Sequence, residues 1–334
     1  MTIANRNFIF FIFFAFTLIM FAGLRPIGFD FDSQSYRELI YYESLMVEPT
    51  FLFITYFAEL FTSDKEFIVR IVFLLYAFLN ILILSIAINK FVKFNVVSLV
   101  LYTFVAYAMI TLTQIRFGVA VAFFLWAIYD LSNLNRKGFL LKILVGTSFH
   151  YSLALALPLV FLSSSNFNKK FYILLPLIFF IGMFLNEYML NLLLNNLNIF
   201  SDYLALKLKI YAKRNHSESM PIINILSLLL IFIYYLALTT VKKINNKNIL
   251  IVIKVFGWGL AFYFLFSFIE VFSKRIMFTL GTLMIILIPF ILNSFKQKRI
   301  LLFFLIIYVF LYFINSTVHN GLLDYELYIS SVSL

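Results

Sequence analysis

The sequence contains no cysteine and few charged residues. Without cysteine the chain forms no disulfide and offers no thiolate as a metal ligand or nucleophile. Charged residues make up 12% of the 334 residues, against about 25% in a typical soluble domain. The chain also lacks the GxxxxGKS/T, HExxH and GxSxG patterns and any Cys/His cluster. These absences argue against an ATPase, a zinc protease and a serine hydrolase.

Hydrophobic residues are correspondingly abundant, at 63% of the chain, where about 45–50% is usual. They form long continuous runs, whereas a membrane β-barrel has short segments of alternating hydrophobicity. The net charge of +11 comes mainly from basic residues in short loops, which is how helical membrane proteins encode their orientation. The sequence therefore predicts an all-α polytopic membrane protein, folded as a single integral-membrane domain over residues 1–334.

Nine apolar runs suggest membrane spans, which usually need about 17–25 residues. They lie near 8–24, 67–89, 96–112, 117–131, 171–187, 222–241, 249–269, 276–292 and 300–316. Two further stretches are ambiguous. Residues 49–61 are short and contain Glu59, which favours an interfacial or re-entrant helix over a crossing. Residues 139–162 form either one span or two short arms that meet near His150.

Basic residues in short loops favour one topology. Such residues lie mostly on the cytoplasmic side. Four turns contain such residues, namely Lys90 and Lys93, Arg136 to Lys142, Lys242 to Lys247, and Lys296 to Arg299. All four face the cytoplasm if the amino terminus is inside, residues 49–61 do not cross, and residues 139–162 form a hairpin. We therefore expect about 10–12 transmembrane segments with short re-entrant elements. The outer loops are then 25–48 and the medium-length 188–221.

Two arginines occupy similar places in this topology. Arg116 and Arg275 each precede a span that runs inward from the outer face, 117–131 and 276–292. A helix amino terminus already carries partial positive charge, so a fixed cation there is unfavourable unless an anion is bound. Helix amino termini and arginine forks both suit phosphate. The alternative is that both side chains reach lipid headgroups.

His150 lies in the middle of an apolar region, directly after Thr147-Ser148-Phe149. A single histidine in such a place is often a packing residue with a hydrogen bond. In the hairpin it would instead form the tip of a broken helix, and irregular backbone at membrane depth is found where it lines protein or a wet cavity. Histidine also exchanges protons near neutral pH, which makes His150 a candidate base.

The outer loops contain candidate sugar-binding residues. Asp30 and Asp32 form a DxD pattern, which many sugar transferases use to hold a metal-bound nucleotide sugar, although two loop carboxylates are commonly only solvated. Asp32 with Tyr36 is equally suited to hydrogen bonding with sugar hydroxyls. In the long loop, Tyr203 and Tyr211 suit stacking on sugar rings, and cations such as Lys209 suit acidic sugars or phosphates. A surface helix on anionic lipid is the alternative for this loop.

With these residues in view, the chain resembles the EpsG-like branch of the Wzy-type O-antigen and exopolysaccharide polymerases. The resemblance covers residues 20 to about 290. It rests on the order and spacing of Arg25-Pro26, Gly28, Asp32 and Tyr36; Glu48-Pro49 with Phe51; Gln114-Ile115-Arg116 and Gly118-Val119-Ala120; Lys137-Gly138-Phe139; Phe149-His150-Tyr151-Ser152; Tyr203 and Tyr211; and Arg275-Ile276 with Phe278.

The resemblance implies a GT-C-like glycosyltransferase that needs no metal and no other cofactor. It would act at the periplasmic face of the bacterial inner membrane, moving a growing glycan from undecaprenyl diphosphate onto a sugar hydroxyl of the next lipid-linked repeat unit in lipopolysaccharide or exopolysaccharide synthesis. Arg116 and Arg275 would stabilise the leaving diphosphate. His150 would accept or orient the proton of the acceptor hydroxyl, with Glu270 as a rival base. The expected substrate-binding residues are Arg25, Asp32, Tyr36, Gln114, Tyr203, Lys209 and Tyr211.

The expected partners are the lipid-linked donor and acceptor, the bilayer and a chain-length regulator protein, and no nucleic acid. Two other functions stay open. An O-antigen ligase would normally have a larger outer loop than 188–221. A flippase for lipid-linked oligosaccharides would need a cationic cavity open to both sides and related halves, and the sequence shows no internal repeat of the kind found in many transporters.

Overall fold

The computed structural model describes residues 3–45, 47–92, 96–163, 167–196, 205, 208–209, 225–241, 246–294 and 298–314, and these residues are almost wholly helical. The α-helices are α1 (Ile3–Leu24), α2 (Ser33–Tyr41), α3 (Pro49–Glu59), α4 (Lys65–Phe91), α5 (Val96–Tyr102), α6 (Ile115–Ser132), α7 (Arg136–Phe149), α8 (Lys169–Phe180), α9 (Asn186–Asn195), α10 (Ile225–Thr240), α11 (Lys247–Leu265), α12 (Glu270–Ser294) and α13 (Lys298–Ile314). A π-helix, Thr103–Thr113, continues α5, and two 3₁₀-helices, Tyr151–Phe161 and Ile181–Leu185, adjoin α7 and α8.

Six of these helical stretches are long and apolar enough to cross a membrane. They are Asn7–Leu24, Lys65–Phe91, Val96–Thr113, Ile115–Ser132, Lys247–Leu265 and Val271–Leu292. All six coincide with predicted spans, and the all-α polytopic class is confirmed. The other three predicted spans fall on shorter elements, namely α8 with the 3₁₀-helix Ile181–Leu185, α10 and α13. The total of 10–12 transmembrane segments stays a prediction.

Helix α6 packs closely against α4, α7 and the π-helix. The run Val119 to Ala122 is buried on α6, and small residues such as Ala120 allow helix backbones to approach in a membrane. Gly118 is required for the same reason, because a Cβ at this position would lie only 2.5 Å from the Ile110 carbonyl oxygen. The first turn of α6 is thereby held tightly against the end of the π-helix.

The π-helix Thr103–Thr113 ends at Gln114, whose backbone N–H donates to the Met109 carbonyl oxygen at 2.9 Å. Regular hydrogen bonds from residue i to i+5 are rare and frequently occur at functional sites. Inside the bundle the Tyr102 hydroxyl lies 2.7 Å from Thr111 Oγ1. The sequence predicts the span correctly but not its winding. The winding sets the direction in which α6 begins and therefore the position of Arg116, its second residue.

The stretch 139–162 consists of two short arms that meet at His150. Helix α7 ends there, because His150 is extended (φ −155°, ψ 117°), and the 3₁₀-helix Tyr151–Phe161 follows. At about 1.5 Å and 2.0 Å per residue, each arm is about 20 Å long, too short to cross a hydrocarbon core of about 30 Å. Helix α3 has 11 residues and is also too short, as expected for 49–61.

The predicted surroundings of Arg275 are wrong in one respect. The sequence places Arg275 in a turn before a span at 276–292, but α12 begins at Glu270 and Arg275 is in its second turn. The turn lies at Phe266–Ile269. Helical backbone hydrogen bonding extends through residues 270–275, a segment that mixes apolar and charged residues, whereas the length of the apolar run places the boundary at residue 276. Arg275 therefore does not occupy a helix amino terminus.

The expected topology can be tested by cysteine labelling, because the native chain has no cysteine. We expect a cysteine introduced as Asn166→Cys to react with an impermeant maleimide only after the cells are permeabilised, since a hairpin at 139–162 leaves this position inside. Tyr42→Cys, which is exposed in the outer loop 25–48, serves as the control that reacts in intact spheroplasts. Labelling of position 166 from outside would refute the hairpin.

Candidate functional site

A buried ion pair joins the start of α3 to the start of α6. Glu48, the residue before α3, is 6% exposed, and its Oε2 pairs with Arg116 Nη1. Pro49 occupies the first position of α3, where its fixed φ suits a helix start, and it fixes Glu48 in an extended conformation. A buried cation without a partner is strongly destabilising, so Glu48 accounts for how Arg116 is tolerated at this depth.

The Arg116 guanidinium also contacts two aromatic rings. Its carbon lies 5.3 Å from the centre of the Tyr36 ring and 5.4 Å from that of Phe51. Burial raises the pKa of Tyr36, although the nearby Arg116 acts in the opposite direction, so the phenol stays protonated at physiological pH. The Nε of Arg116 is buried without a hydrogen-bond partner in the described part of the chain. Arg116 thus retains a donor that its carboxylate partner does not use.

His150 lies beside the same carboxylate. Its Nε2 is 4.0 Å from Glu48 Oε1, its Nδ1 accepts the Ser152 backbone N–H at 3.3 Å, and Ser152 Oγ lies 2.8 Å from Nδ1. The ring also meets Phe117 edge to face, with the centres 5.3 Å apart. The structure therefore brings Arg116 and His150 together through Glu48.

A cavity of about 390 Å³ lies next to this cluster, between α6, the 3₁₀-helix Tyr151–Phe161, α11 and α12. Its walls are mainly apolar side chains. Arg275, Ser152 and Thr279 are polar residues in its lining, beside Phe117 and Pro158. The Arg275 Nε is buried and has no hydrogen-bond partner among the described residues. Ser152 and Phe117 belong both to the cavity and to the surroundings of His150, so the two form one continuous site.

Arg25 is placed differently from Arg116. It is 1% exposed, pairs with Asp30 at 2.7 Å, and donates to the carbonyl oxygens of Ala22 at 2.5 Å and Leu112 at 2.6 Å. The guanidinium also lies 4.2 Å from the centre of the Phe73 ring. These contacts tie the end of α1 to the end of the π-helix. A role for Arg25 in substrate binding stays a prediction, and its geometry is that of a structural tie.

The DxD pattern does not present two equivalent carboxylates. Asp30 is buried against Arg25 and accepts the backbone N–H groups of Asp32 and Ser33 at 3.1 and 3.0 Å. Asp32 precedes α2 and is half-buried. One of the two acids therefore organises the loop from inside, while the other lies nearer the surface, one helical turn before Tyr36.

The remaining predicted residues are spread more widely. Gln114 joins the π-helix to α6, and its Oε1 is buried without a partner in the described residues. Lys209 is exposed, and Glu270 is the first residue of α12. Tyr203 and Tyr211 lie outside the described residues.

Sequence reasoning missed three polar residues. Glu48 belongs to the Glu48-Pro49 motif, and an acid directly before a short apolar helix is a signal that marks it as a candidate site residue. Ser152 gave no signal beyond its place after His150. Lys254 is 4% exposed and donates to the Ser163 carbonyl oxygen at 2.6 Å. As a charge inside the predicted span 249–269, it could have been found.

Comparison with known proteins gives one match. A family model described as the EpsG family matches residues 8–328, nearly the whole chain. No curated protein and no solved structure matches the chain.

The tie made by Arg25 predicts a stability effect. We expect Asp30→Ala to lower the free energy of unfolding by about 3–5 kcal/mol, because it leaves a buried arginine without its counter-charge. The measurement is the thermal unfolding midpoint of the detergent-solubilised protein. Glu38→Ala, on the exposed face of α2, is the control that should change little. Equal midpoints for the two variants would contradict the structural role of the pair.

Proposed function

The chain belongs to the EpsG family, which gives it a polysaccharide polymerase type of role, and from this we propose that it joins lipid-linked repeat units by glycosyl transfer. The donor is the growing glycan on undecaprenyl diphosphate, and the acceptor is a sugar hydroxyl of the next lipid-linked unit. The proposed reaction takes place at the periplasmic face of the bacterial inner membrane and makes an O-antigen or exopolysaccharide.

The cavity is the observation that carries this proposal. A polyprenyl diphosphate needs apolar surroundings for its chain and cationic donors for its diphosphate. The cavity has apolar walls and Arg275 in its lining, and the Nε of this arginine is buried without a partner among the described residues. Its volume of about 390 Å³ is within the range of about 300–1,000 Å³ usual for small-molecule sites. It therefore suits the part of the carrier next to the diphosphate.

The two arginines have unequal parts in the proposed reaction. The bond between the anomeric carbon and the diphosphate oxygen breaks, and negative charge grows on the leaving diphosphate. A cation fixed in a site that excludes water stabilises this charge strongly. Arg116 is already neutralised by Glu48, whereas Arg275 lines the cavity directly. Arg275 is therefore the principal stabiliser of the leaving group, and Arg116 supports it through its remaining donor.

The acceptor hydroxyl must lose a proton as its oxygen attacks the anomeric carbon. His150 is the proposed base, because its ring lies beside Glu48 and is joined to the cavity by Ser152. A positioned base typically contributes about 10²–10⁴ in rate. Glu270, at the start of the helix that carries Arg275, remains the rival base.

The sugars are proposed to lie along the loop side of the site. Tyr36 packs against Arg116 and lies one helical turn after Asp32. Tyr36 and Asp32 are therefore suited to hydrogen-bond sugar hydroxyl groups near the ion pair. Gln114 precedes Arg116 in the chain and has a buried side-chain oxygen with no partner in the described region. Lys209, Tyr203 and Tyr211 complete the proposed set for sugars farther from the bond that breaks.

Replacing Arg275 gives the sharpest test. In a deletion strain complemented with Arg275→Ala, we expect long-chain polysaccharide to be lost while the single-repeat product and the protein level stay normal. The loss of one such donor typically lowers the rate by about 10²–10³. The measurement is the glycan ladder on a gel, together with an immunoblot of the membrane fraction.

Arg136→Ala is a matched control, because Arg136 is an exposed arginine at the start of α7 and should leave the ladder unchanged. A normal ladder for Arg275→Ala at a normal protein level would refute the role of Arg275. Loss of the single-repeat product as well would favour a flippase or a ligase in place of a polymerase.

We also propose that the reaction needs no metal. Purified protein supplied with lipid-linked repeat units is expected to make polymer at an undiminished rate in the presence of EDTA, since arginines supply the charge stabilisation that a divalent cation would otherwise provide. The comparison is the initial rate with and without EDTA, with added Mg²⁺ as the control. A rate abolished by EDTA and restored by Mg²⁺ would contradict metal independence.

A further inference from the structure

We propose that Ser152, His150 and Glu48 form a proton relay in which the Ser152 hydroxyl takes the proton from the acceptor sugar and passes it to His150. The inference rests on the proposed glycosyl transfer and adds Ser152 as the group that meets the substrate. Its starting point is that Ser152 lines the cavity while its hydroxyl lies 2.8 Å from the imidazole.

The hydrogen bonds determine which imidazole nitrogen is basic. The Ser152 backbone N–H donates to His150 Nδ1 at 3.3 Å, and a backbone N–H can only donate. Nδ1 therefore carries a lone pair, and a neutral ring carries its proton on Nε2. The nitrogen able to accept a proton is thus the one that faces Ser152.

Ser152 connects that nitrogen with the cavity. As the second residue of the 3₁₀-helix, it is fixed next to the break at His150, and its Oγ is within hydrogen-bonding distance of Nδ1. A hydroxyl can donate and accept at the same time. Ser152 can therefore accept the proton of a sugar hydroxyl in the cavity while it donates its own to Nδ1.

Glu48 acts on the opposite side of the ring as a positioning residue. Its Oε1 is 4.0 Å from Nε2, which is too long for a hydrogen bond but close enough for a strong charge interaction where water is scarce. Because Arg116 holds Oε2, the carboxylate stays in place. Its negative charge, partly offset by Arg116, stabilises the imidazolium that forms when Nδ1 gains a proton. The order of hydroxyl, imidazole and carboxylate is that of the Ser-His-Asp arrangement of other enzymes, but here the carboxylate is not hydrogen-bonded to the ring.

The step balances as follows. The acceptor O–H bond breaks, and its proton moves to Ser152 Oγ as the Ser152 proton moves to His150 Nδ1. The acceptor oxygen forms a bond to the anomeric carbon, and the electron pair of the old bond leaves with the diphosphate beside Arg275. The imidazolium then gives the proton through Ser152 Oγ to an oxygen of the departed diphosphate in the same cavity, so that Ser152, His150 and Glu48 are regenerated.

Two isosteric variants test the hydroxyl itself. Ser152→Thr retains a hydroxyl and Ser152→Val does not, while the two side chains have nearly the same shape. We expect kcat for polymerisation by the full-length detergent-solubilised protein to stay within about tenfold of wild type in Ser152→Thr. In Ser152→Val it should fall by about 10²–10⁴, with KM for the lipid-linked unit unchanged. Equal kcat values for the two variants would overturn the relay.

Further measurements separate a relay from a packing role. The single-turnover rate against the D₂O fraction should curve in wild type, because two protons move together, and should become linear in Ser152→Val. A linear plot in wild type would refute the relay. Ser148→Ala is the matched control, since that serine is bonded to the Val145 carbonyl oxygen and is not part of the cavity lining.

The same assay distinguishes a failure of the relay from a failure of the proposed function. If wild type polymerises and Ser152→Val is equally fast, the relay is wrong and the proposed function stands. If wild type makes no polymer from lipid-linked repeat units, so that its rate is no higher than that of Arg275→Ala, the proposed function fails together with the relay. Glu48→Gln, which can still hydrogen-bond Arg116, should lower kcat without changing KM; an unchanged kcat would remove Glu48 from the relay.

Discussion

A charge buried in a membrane protein needs an opposite charge close to it, and the ion pair of Glu48 and Arg116 meets that need here. It joins two segments that are otherwise far apart in the chain, the start of a helix too short to cross the bilayer and the start of a buried spanning helix. Because the carboxylate also lies beside His150, one buried acid orders both a cation and a titratable ring. Without Glu48 the buried Arg116 would lack a counter-charge, which is strongly destabilising, and His150 would lose its acidic neighbour.

The two buried arginine–carboxylate pairs show how an arginine with a structural role differs from one that can bind a ligand. Arg25 has its donors directed to Asp30 and to backbone carbonyl oxygens, and it lies almost out of reach of solvent. Arg116 keeps a buried donor without a partner among the described residues and is more open, with its side chain 20% exposed. Buried polar atoms are nearly always hydrogen-bonded in proteins. The buried Nε–H donors of Arg116 and Arg275, which have no partner among the described residues, are therefore candidates for binding a ligand.

Much of this arrangement can be predicted from the sequence. Six spans follow from the lengths of apolar runs, and the break at His150 follows from the charges of the short loops. Arg116 and His150 stand out because polar groups are rare in such runs. The partner Glu48 could not be assigned, since it depends on how a short helix folds back onto the bundle. The start of α12 at Glu270 also does not follow from the sequence, because helical hydrogen bonds begin before the apolar run at 276–292 does. Ser152 is recognisable only once the orientation of the imidazole ring is known.

The π-helix before Gln114 has a consequence for how this protein can change during evolution. Each residue of an α-helix turns the chain by about 100°, and a residue of a π-helix turns it by less. The winding of the eleven uncharged residues Thr103–Thr113 therefore determines the direction of the Arg116 side chain. A deletion or insertion of one residue there would rotate the guanidinium away from its carboxylate without altering any polar residue of the pocket. Related chains could thus lose the site through a change of length in a segment that contributes no residue to the lining of the cavity.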